Sequence, residues 1–221
     1  QISGGITNTV TGIINTTRED TIIFDDTSAL NGSIINTGIL SGDTKVIFFS
    51  DSSLSGSITN TGTIAGGDDT ILFDSSTIGG SITNDGTISS TGNGDKAIEL
   101  NDSTVTGAIV NNGSITSANG PGLLLTDDTV VASITNTGVI LGDGDSGLRL
   151  ENDITVSGAI INSGSITAED EALEIDDAVV GSITNTGTLT GRTNEGMILE
   201  DSTVGAVVND GTITGGGAGD G

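Results

Sequence analysis

The chain has 221 residues and carries 30 Asp and Glu against five Lys and Arg, which gives a formal net charge of −25. This balance excludes the basic surface that binding to nucleic acid or to an anionic membrane requires. With no His and no Cys, the chain also lacks the residues of a His-dependent triad, a cysteine nucleophile or a disulfide.

One phrase returns along the whole chain at nearly constant spacing. It is GSITNTGTI at 56–64, GSITNDGTI at 80–88 and GSITNTGTL at 181–189. The asparagines that align on this phrase are Asn36, Asn60, Asn84, Asn111, Asn136, Asn162, Asn185 and Asn209. In the first repeat either Asn8 or Asn15 can take this position. A period of about two dozen residues that tolerates small insertions predicts a solenoid, because loops between stacked strands absorb changes in length.

Each repeat contains three short strand-like pieces, such as 57–59, 63–65 and 71–73, and Ile78 follows the third piece after a polar corner. Strands this short are stable only when each pairs with its copies in the coils above and below. We therefore predict an all-β fold, a parallel β-helix with three strands per coil and about 8–9 coils of roughly 24 residues. We expect residues 1–221 to form a single β-solenoid domain that is a segment of a longer chain.

Apolar residues recur at fixed positions of the repeat and predict inward-facing columns. The first strand supplies Ile34, Ile58, Ile82, Ile109, Ile134, Ile160, Ile183 and Val207, and the second supplies Ile39 or Leu40, then Ile64, Ile88, Ile115, Ile140, Ile166, Leu189 and Ile213. The third strand supplies two columns, which begin at Ile22 and at Phe24. Three of the four phenylalanines are thereby predicted to be core residues.

The repeated Asn is followed two residues later by Gly, and this pair predicts a corner. Both residues tolerate the left-handed backbone conformation, and stacked Asn amides can form a hydrogen-bonded ladder along the solenoid. Eight copies serve a repeated backbone geometry better than a single ligand site. We therefore interpret the eight aligned asparagines as a structural ladder.

These tandem GSITNTGTI-like coils, each with a downstream apolar strand and an Asp-rich corner, resemble the right-handed β-helix of bacterial autotransporter passenger domains and related large surface adhesins. The resemblance covers about residues 32–213 and is specific for the fold rather than for one member. It implies a right-handed helix that is secreted or held at the bacterial cell surface. Such passengers commonly act as adhesins, aggregation factors or stalks, and no catalytic residue of the family has a matching position here.

Acidic residues recur at corners and in Gly-rich turns, and both places are candidates for Ca²⁺, which takes several carboxylate and carbonyl oxygens in a flexible shell. The turns are GGDD (66–69), GNGD (92–95) and GDGD (142–145). The candidate calcium ligands are Asp95, Asp102, Asp127, Asp143, Asp145, Asp177 and Asp201. The alternative is that water and salt screen these charges at exposed corners. If the calcium hypothesis is right, millimolar Ca²⁺ raises the melting temperature, and equal melting temperatures in Ca²⁺ and in chelator would contradict it. We expect no cofactor other than Ca²⁺.

Two outward surfaces are candidates for contact with partners. The second strands carry Ser/Thr pairs, such as Thr87 with Ser89 and Thr188 with Thr190, in a grid that resembles the ice-binding surface of some antifreeze proteins. The third strands carry an apolar stripe of Ile23, Phe48 and Leu72 near the start of the chain. Threonine is also an ordinary exposed strand residue, and flanking sequence could cover the stripe.

The pattern favours a non-catalytic extracellular β-solenoid, a stalk or adhesin segment of a bacterial surface protein. Its expected partners are surface glycans, other proteins or further copies of itself, and we expect neither nucleic-acid binding nor membrane insertion. The alternatives are a self-assembling fibre or surface-layer subunit that stacks end to end, an ice-binding solenoid, and a polysaccharide-degrading β-helix enzyme. The enzyme is the weakest of these, because sugar clefts usually pair carboxylates with aromatic platforms and the chain has neither Trp nor Tyr.

Overall fold

Thirty β-strands, all of them short, make up the computed structural model, which describes residues 1–93 and 95–217. Gly94 of the GNGD turn and residues 218–221 of the terminal GGGAGDG stretch lie outside the described residues. No helix in the described part of the chain is long and apolar enough to cross a membrane.

The first ten strands are β1 (Ile6–Asn8), β2 (Ile13–Asn15), β3 (Ile22–Phe24), β4 (Ala29–Leu30), β5 (Ile34–Asn36), β6 (Ile39–Gly42), β7 (Ile47–Ser50), β8 (Ser53–Leu54), β9 (Ile58–Asn60) and β10 (Thr63–Gly66). The next ten are β11 (Ile71–Asp74), β12 (Thr77–Ile78), β13 (Ile82–Asn84), β14 (Thr87–Ser90), β15 (Ile98–Asn101), β16 (Thr104–Asn111), β17 (Ser114–Ser117), β18 (Leu123–Thr126), β19 (Val130–Asn136) and β20 (Val139–Gly142). The last ten are β21 (Leu148–Glu151), β22 (Ile154–Asn162), β23 (Ser165–Ala168), β24 (Leu173–Asp176), β25 (Ala178–Asn185), β26 (Thr188–Gly191), β27 (Met197–Glu200), β28 (Thr203–Val204), β29 (Val207–Asn209) and β30 (Thr212–Thr214).

These strands form three parallel sheets that run the length of the molecule. Sheet 1 has 13 strands and begins with β1, sheet 2 has nine and begins with β2, and sheet 3 has eight and begins with β3. Each coil therefore visits the three sheets in turn, and every strand pairs with its copies one coil away. The eight strands of sheet 3 mark eight coils, and β28–β30 begin a ninth. The predicted β-solenoid with three strand faces per coil is confirmed.

Sheet 1 contains a feature that the sequence analysis did not assign as a strand. A short piece precedes the main strand of each coil, and from β16 onward the two pieces join into strands of seven to nine residues with a register shift between them. The inward residues of this piece form a fifth apolar column: Leu30, Leu54, Ile78, Val105, Val131, Val156 and Val180. Only Ile78 of this column was noticed in the sequence.

The predicted core columns lie inside the solenoid, as the register between coils requires, except that their last members Val207 and Leu199 are 44% and 39% exposed. Leu40 is fully buried and pairs with Ile64, whereas Ile39 is 43% exposed, so the second column begins at Leu40. Phe24, Phe49 and Phe73 stack with ring centroids 4.6 and 4.7 Å apart. Aliphatic and aromatic side chains of one kind thus pack on their own copies, and this stacking replaces the bulky core of a globular domain.

The corners turn the chain in a different way from the one predicted. None of the ladder asparagines and none of the glycines two residues after them has a positive φ. Apart from Arg18, the non-glycine residues with left-handed backbone lie instead between sheet 3 and sheet 1, and most of them are Asp, as at Asp51, Asp102 and Asp127 with φ of 49°, 44° and 48°. Asp is among the non-glycine residues that best tolerate this conformation, so the backbone explains why Asp recurs there.

Candidate functional surface

Three corners separate the three sheets, and each has its own chemistry. The Asn corner joins sheet 1 to sheet 2 and holds the repeated asparagines. The charged corner joins sheet 2 to sheet 3 and includes residues 43–46, 67–70, 91–93, 95–97, 118–122, 143–147, 169–172 and 192–196. The aspartate corner joins sheet 3 back to sheet 1 and holds Asp26, Asp51, Ser75, Asp102, Asp127, Asn152, Asp177 and Asp201.

The Asn corner contains a continuous ladder of nine amides, of which the first eight are buried and the last, Asn209, is exposed. Asn8 Nδ2 donates to Asn36 Oδ1 at 2.8 Å, so Asn8 rather than Asn15 holds the first position. The same bond repeats at 2.7–2.8 Å through Asn36, Asn60, Asn84, Asn111, Asn136, Asn162, Asn185 and Asn209. From Asn8 to Asn185, each Nδ2 also donates to a sheet 2 carbonyl one coil further on, as Asn60 does to Thr87 O at 3.0 Å. The ladder therefore uses its amide atoms internally and offers little to a ligand.

The aspartate corner spreads its carboxylates along the outside of the solenoid. Asp102, Asp127, Asp177 and Asp201 are all exposed and occupy equivalent positions in their coils. The two interruptions of the Asp column supply hydrogen-bond donors, since Ser75 Oγ lies 3.4 Å from Asp102 Oδ2 and Asn152 Nδ2 lies 3.2 Å from Asp127 Oδ1. Each of these two carboxylates thus has a hydrogen-bond donor in the coil on one side, while Asp102 and Asp127 themselves occupy adjacent coils.

A shallow depression of about 280 Å³ lies at the C-terminal part of the aspartate corner. Asp153, Asp177 and Asp201 line it on three consecutive coils. The charge of Asp153, followed by desolvation and by the charges of Asp176 and Asp201, raises the pKa of Asp177 above its ordinary value. Acidic side chains of three consecutive coils therefore share this depression.

The charged corner holds the densest cluster of ionisable groups in the described part of the chain. The carboxylates of Asp68, Asp69 and Asp95 have oxygen atoms within 4.8 Å of one another. Lys45 Nζ lies 3.2 Å from Asp68, and Lys96 Nζ lies 3.9 Å from Asp69. The predicted calcium ligand Asp95 thus joins two acids of the GGDD turn in the neighbouring coil, and the two lysines supply positive charge that a cation would otherwise bring.

Burial changes the protonation of this cluster. Desolvation and the neighbouring Asp68 carboxylate raise the pKa of Asp95 to about 6. Desolvation and the charge of Asp69 raise the pKa of Glu99 to about 7, although the Lys96 ammonium, 3.4 Å away, acts in the opposite direction. Asp95 and Glu99 therefore keep their protons up to a pH at which an exposed carboxyl group would already be ionised.

The other two predicted calcium ligands of the charged corner have arginine partners. Asp143 pairs with Arg192, which also lies 3.6 Å from Glu169. Asp145 lies 3.4 Å from Arg149, and Arg149 also reaches Glu151 at 2.8 Å and Glu174 at 3.2 Å. Within the described residues, all ion pairs involve Lys45, Lys96, Arg149 or Arg192 and lie along this one corner and the adjoining face of sheet 3. The predicted calcium ligands are consequently dispersed over several clusters, and calcium binding stays a prediction.

The predicted contact stripe forms one continuous column on the outer face of sheet 3. Ile23 pairs with Phe48, and Phe48 with Leu72, in adjacent strands. Ile23 is 48% exposed, while Phe48 and Leu72 are half-buried, and Lys45 Nζ lies 5.6 Å from the centre of the Phe48 ring. The next residue of the column is Glu99, so the apolar stripe ends where the charged cluster begins.

The Ser/Thr grid on sheet 2 has the register that the repeat predicts. Thr87 and Ser89 pair with Ser114 and Thr116. Val139 and Leu141 interrupt the grid in the following coil. The grid therefore consists of two separate patches, and ice binding stays a prediction.

Buried hydroxyl ladders were missed by the sequence analysis. Ser52, Ser76, Ser103 and Thr129 lie just inside the aspartate corner, and each accepts a hydrogen bond from a backbone N–H of the preceding coil at 3.0–3.1 Å. The signal was present, because a Ser or Thr follows the corner residue or its neighbour in these coils. The GGDD turn and Asp95 were candidates for Ca²⁺ and Glu99 was not, and only the folded corner brings these acidic residues together.

Comparisons of the chain with family models, with curated proteins and with solved structures find no match. The function must therefore be argued from the geometry of these corners and faces.

We expect Glu99→Gln to raise the stability of the protein at pH 8 by on the order of 1 kcal/mol and to leave it unchanged at pH 4. Glu99 has a raised folded-state pKa, so the unfolded chain loses this proton near pH 4.5 while the folded chain keeps it to about pH 7. The group therefore destabilises the fold as pH rises through this window, and glutamine removes the effect. Urea midpoints at the two pH values measure it.

The matched control is Glu200→Gln, an exposed glutamate on the same sheet, which should show no such pH-dependent gain. A stabilisation by Glu99→Gln that is equal at pH 4 and pH 8 would contradict the protonation argument.

Proposed function

We propose that this chain is a non-catalytic, rigid spacer or adhesive segment of an extracellular bacterial surface protein. The observation that carries the proposal is the continuous parallel pairing in all three sheets, in which each strand pairs with its copies in the neighbouring coils. The nine-amide ladder fixes the same register inside the solenoid. A body built in this way resists bending, because any bend must break hydrogen bonds in a sheet and in the ladder together.

The distribution of charge supports the non-catalytic part of this proposal. Four of the five basic residues are held in ion pairs along the charged corner. The excess of acid lies on exposed corners, where it keeps the long body soluble. For the contact surface we propose the outer face of sheet 3, with its apolar stripe of Ile23, Phe48 and Leu72.

Rigidity can be measured directly because the chain has no cysteine. Asp25 and Glu200 are exposed and lie seven coils apart in one column of sheet 3, so cysteines placed there carry dyes about 34 Å apart along the axis. We expect single-molecule energy transfer to give one narrow distance distribution that salt does not change. A broad or salt-dependent distribution would contradict a rigid spacer.

The adhesive part of the proposal needs its own measurement. Beads that carry the chain should bind surfaces coated with glycan or with protein, and Phe48→Asp should reduce this binding if the apolar stripe makes the contact. Thr59→Asp, on the outer face of sheet 1, is the control for added negative charge. If beads that carry the chain bind neither surface, the adhesive part of the proposal is wrong. The proposed rigid spacer is then the part that stays.

A further inference from the structure

The charges of the chain gather around sheet 3. No strand of sheet 1 or sheet 2 contains an Asp, Glu, Lys or Arg, whereas the strands of sheet 3 contain seven such residues. The charged corner and the aspartate corner, which hold most of the others, adjoin the two edges of sheet 3. The outer face of sheet 1 is therefore an uncharged surface on a molecule with a net charge of −25.

The middle coils of this face carry an alternating pattern in two outward columns. The first column lies on the short piece that precedes the main strand and alternates threonine with valine from Thr104 to Val179. The second lies on the main strand and alternates valine or isoleucine with threonine from Val110 to Thr184. A coil that is apolar in one column thus has threonine in the other.

Three apolar side chains of this pattern are open to solvent. Val130, Ile161 and Val179 are 37%, 38% and 54% exposed. A further coil lies on either side of each of them, so their exposure does not arise at an end of the solenoid. Large apolar side chains that are exposed together on a soluble protein mark a contact surface.

Two copies interlock through this face when a twofold axis runs between them, parallel to the solenoid axis. This rotation keeps each coil at its own level and reverses the face from edge to edge, so the first column of one copy lies against the second column of the other. Ile161 then lies against Thr155 of the second copy. One coil above and one coil below that threonine are Val130 and Val179. The bulky side chains of each face thereby fit between those of the other, as close contact between two sheets requires.

The same rotation keeps the acidic groups of the two copies apart. It places the aspartate corner of one copy against the Asn corner of the other, where the residue after each ladder asparagine is mostly Thr, Ser or Asn. Asp127 thus faces Thr137. Asp85 of the Asn corner lies in the coil whose aspartate corner holds Ser75, so only in the last coil are both positions acidic. An antiparallel pair would instead bring the two aspartate corners together.

We infer that the outer face of sheet 1 binds the same face of a second copy, and that the two copies form a parallel dimer. The face spans eight coils and about eight residues, which is on the order of 1,000 Å² per copy. A standard protein interface buries about 800 Å² per partner, so the face is large enough for a stable dimer. The apolar stripe of sheet 3 stays free in both copies.

Sedimentation velocity of the full chain at increasing concentration, in low and in high salt, tests the inference. We expect a species of 21.8 kDa at low concentration and a species of twice that mass, without larger multiples, at high concentration. Salt should favour the dimer, because it screens the repulsion between two acidic bodies whose contact contains no ion pair.

Ile161→Glu should weaken the dimer about a hundredfold or more, because each dimer then buries two carboxylates without a cationic partner. Ile161 points outward and is partly exposed, so the melting temperature of the monomer should change little. Thr167→Glu is the matched control. It adds the same charge in the same coil, on the outer face of sheet 2, and should not change association beyond the effect of net charge.

Chemical cross-linking tests the orientation, since the chain has no cysteine of its own. Ser133 and Ser182 lie between the two columns, two coils apart. In a parallel dimer each lies opposite its own copy, so Ser133→Cys and Ser182→Cys should each give a covalent dimer with a bis-maleimide that spans about 10 Å, the distance between stacked sheets. In an antiparallel dimer at most one of these positions meets its own copy.

A chain that stays monomeric at its solubility limit in high salt overturns the inference, as does association that Ile161→Glu leaves intact. Cross-linking at only one of the two serine positions contradicts the parallel arrangement. None of these results affects the proposed rigid spacer, which the dye distances within one chain test independently.

Discussion

Replacing Asn136 by alanine is expected to lower the free energy of unfolding by about 3–5 kcal/mol, although the residue touches no ligand and lies on no outer face. Its Nδ2 donates to Asn162 Oδ1 at 2.8 Å and to Ser165 O at 3.1 Å. Its Oδ1 accepts from Asn111 Nδ2 at 2.8 Å. Alanine removes these bonds together, so Asn162 Oδ1 loses its donor and Asn111 Nδ2 loses one of its acceptors in a site that is only 1% exposed.

The measurement is urea unfolding followed by circular dichroism at 218 nm or a similar strand wavelength. Asn112→Ala is the matched control, because Asn112 lies in the next coil of the same corner but is exposed and bonds only Asp85 and Thr137 at the surface. We expect the control to cost less than about 1 kcal/mol. Equal costs for the two variants would show that burial of the ladder contributes little to stability.

The repeat made most of the fold predictable from the sequence. In a solenoid every coil pairs with a copy of itself, so aligning the asparagines also aligns the strands, and the pairing of Ile58 with Ile82 follows from their equal distance to Asn60 and Asn84. In an ordinary domain strand order must be found among many alternatives, but here the chain order of the coils is the strand order. The first coil departs from the repeat, so its alignment was ambiguous. The sequence did not decide whether Asn8 or Asn15 holds the first position of the ladder.

The conformation of the corners was not predictable in the same way. The Asn-x-Gly pair is typical of a left-handed turn, but in the solenoid the glycine is needed for space and the left-handed residues are aspartates one sheet away. A pattern of residue types does not distinguish these two reasons for a glycine, because both depend on where the neighbouring coil lies. The cluster of Asp68, Asp69, Asp95 and Glu99 escaped prediction for a similar reason, since it forms between two coils from turns of different length.

Gly86→Ala is accordingly expected to destabilise the protein by about 3 kcal/mol, even though its backbone conformation suits alanine. A Cβ at this position would lie 2.1 Å from Gly62 O and 2.8 Å from Thr61 C. Gly62 O is the acceptor for the Thr87 N–H at 2.9 Å, so the added methyl group forces apart two coils and breaks the bond that joins them. The glycines of this corner stack on one another, and the strain cannot be relieved by a side-chain rotation because the atoms in contact are backbone.

The test compares the urea midpoint and the breadth of the transition in Gly86→Ala with those in Gly158→Ala. Gly158 lies in sheet 1, where an added Cβ meets one backbone oxygen at 2.8 Å and otherwise only atoms at 3.6 Å or more, so its substitution should cost clearly less. In Gly86→Ala the coils on either side keep their own contacts, so we expect a broader transition in which the two parts of the solenoid unfold less cooperatively. A single sharp transition at the wild-type midpoint would contradict the steric argument and would return these glycines to the role of ordinary turn residues.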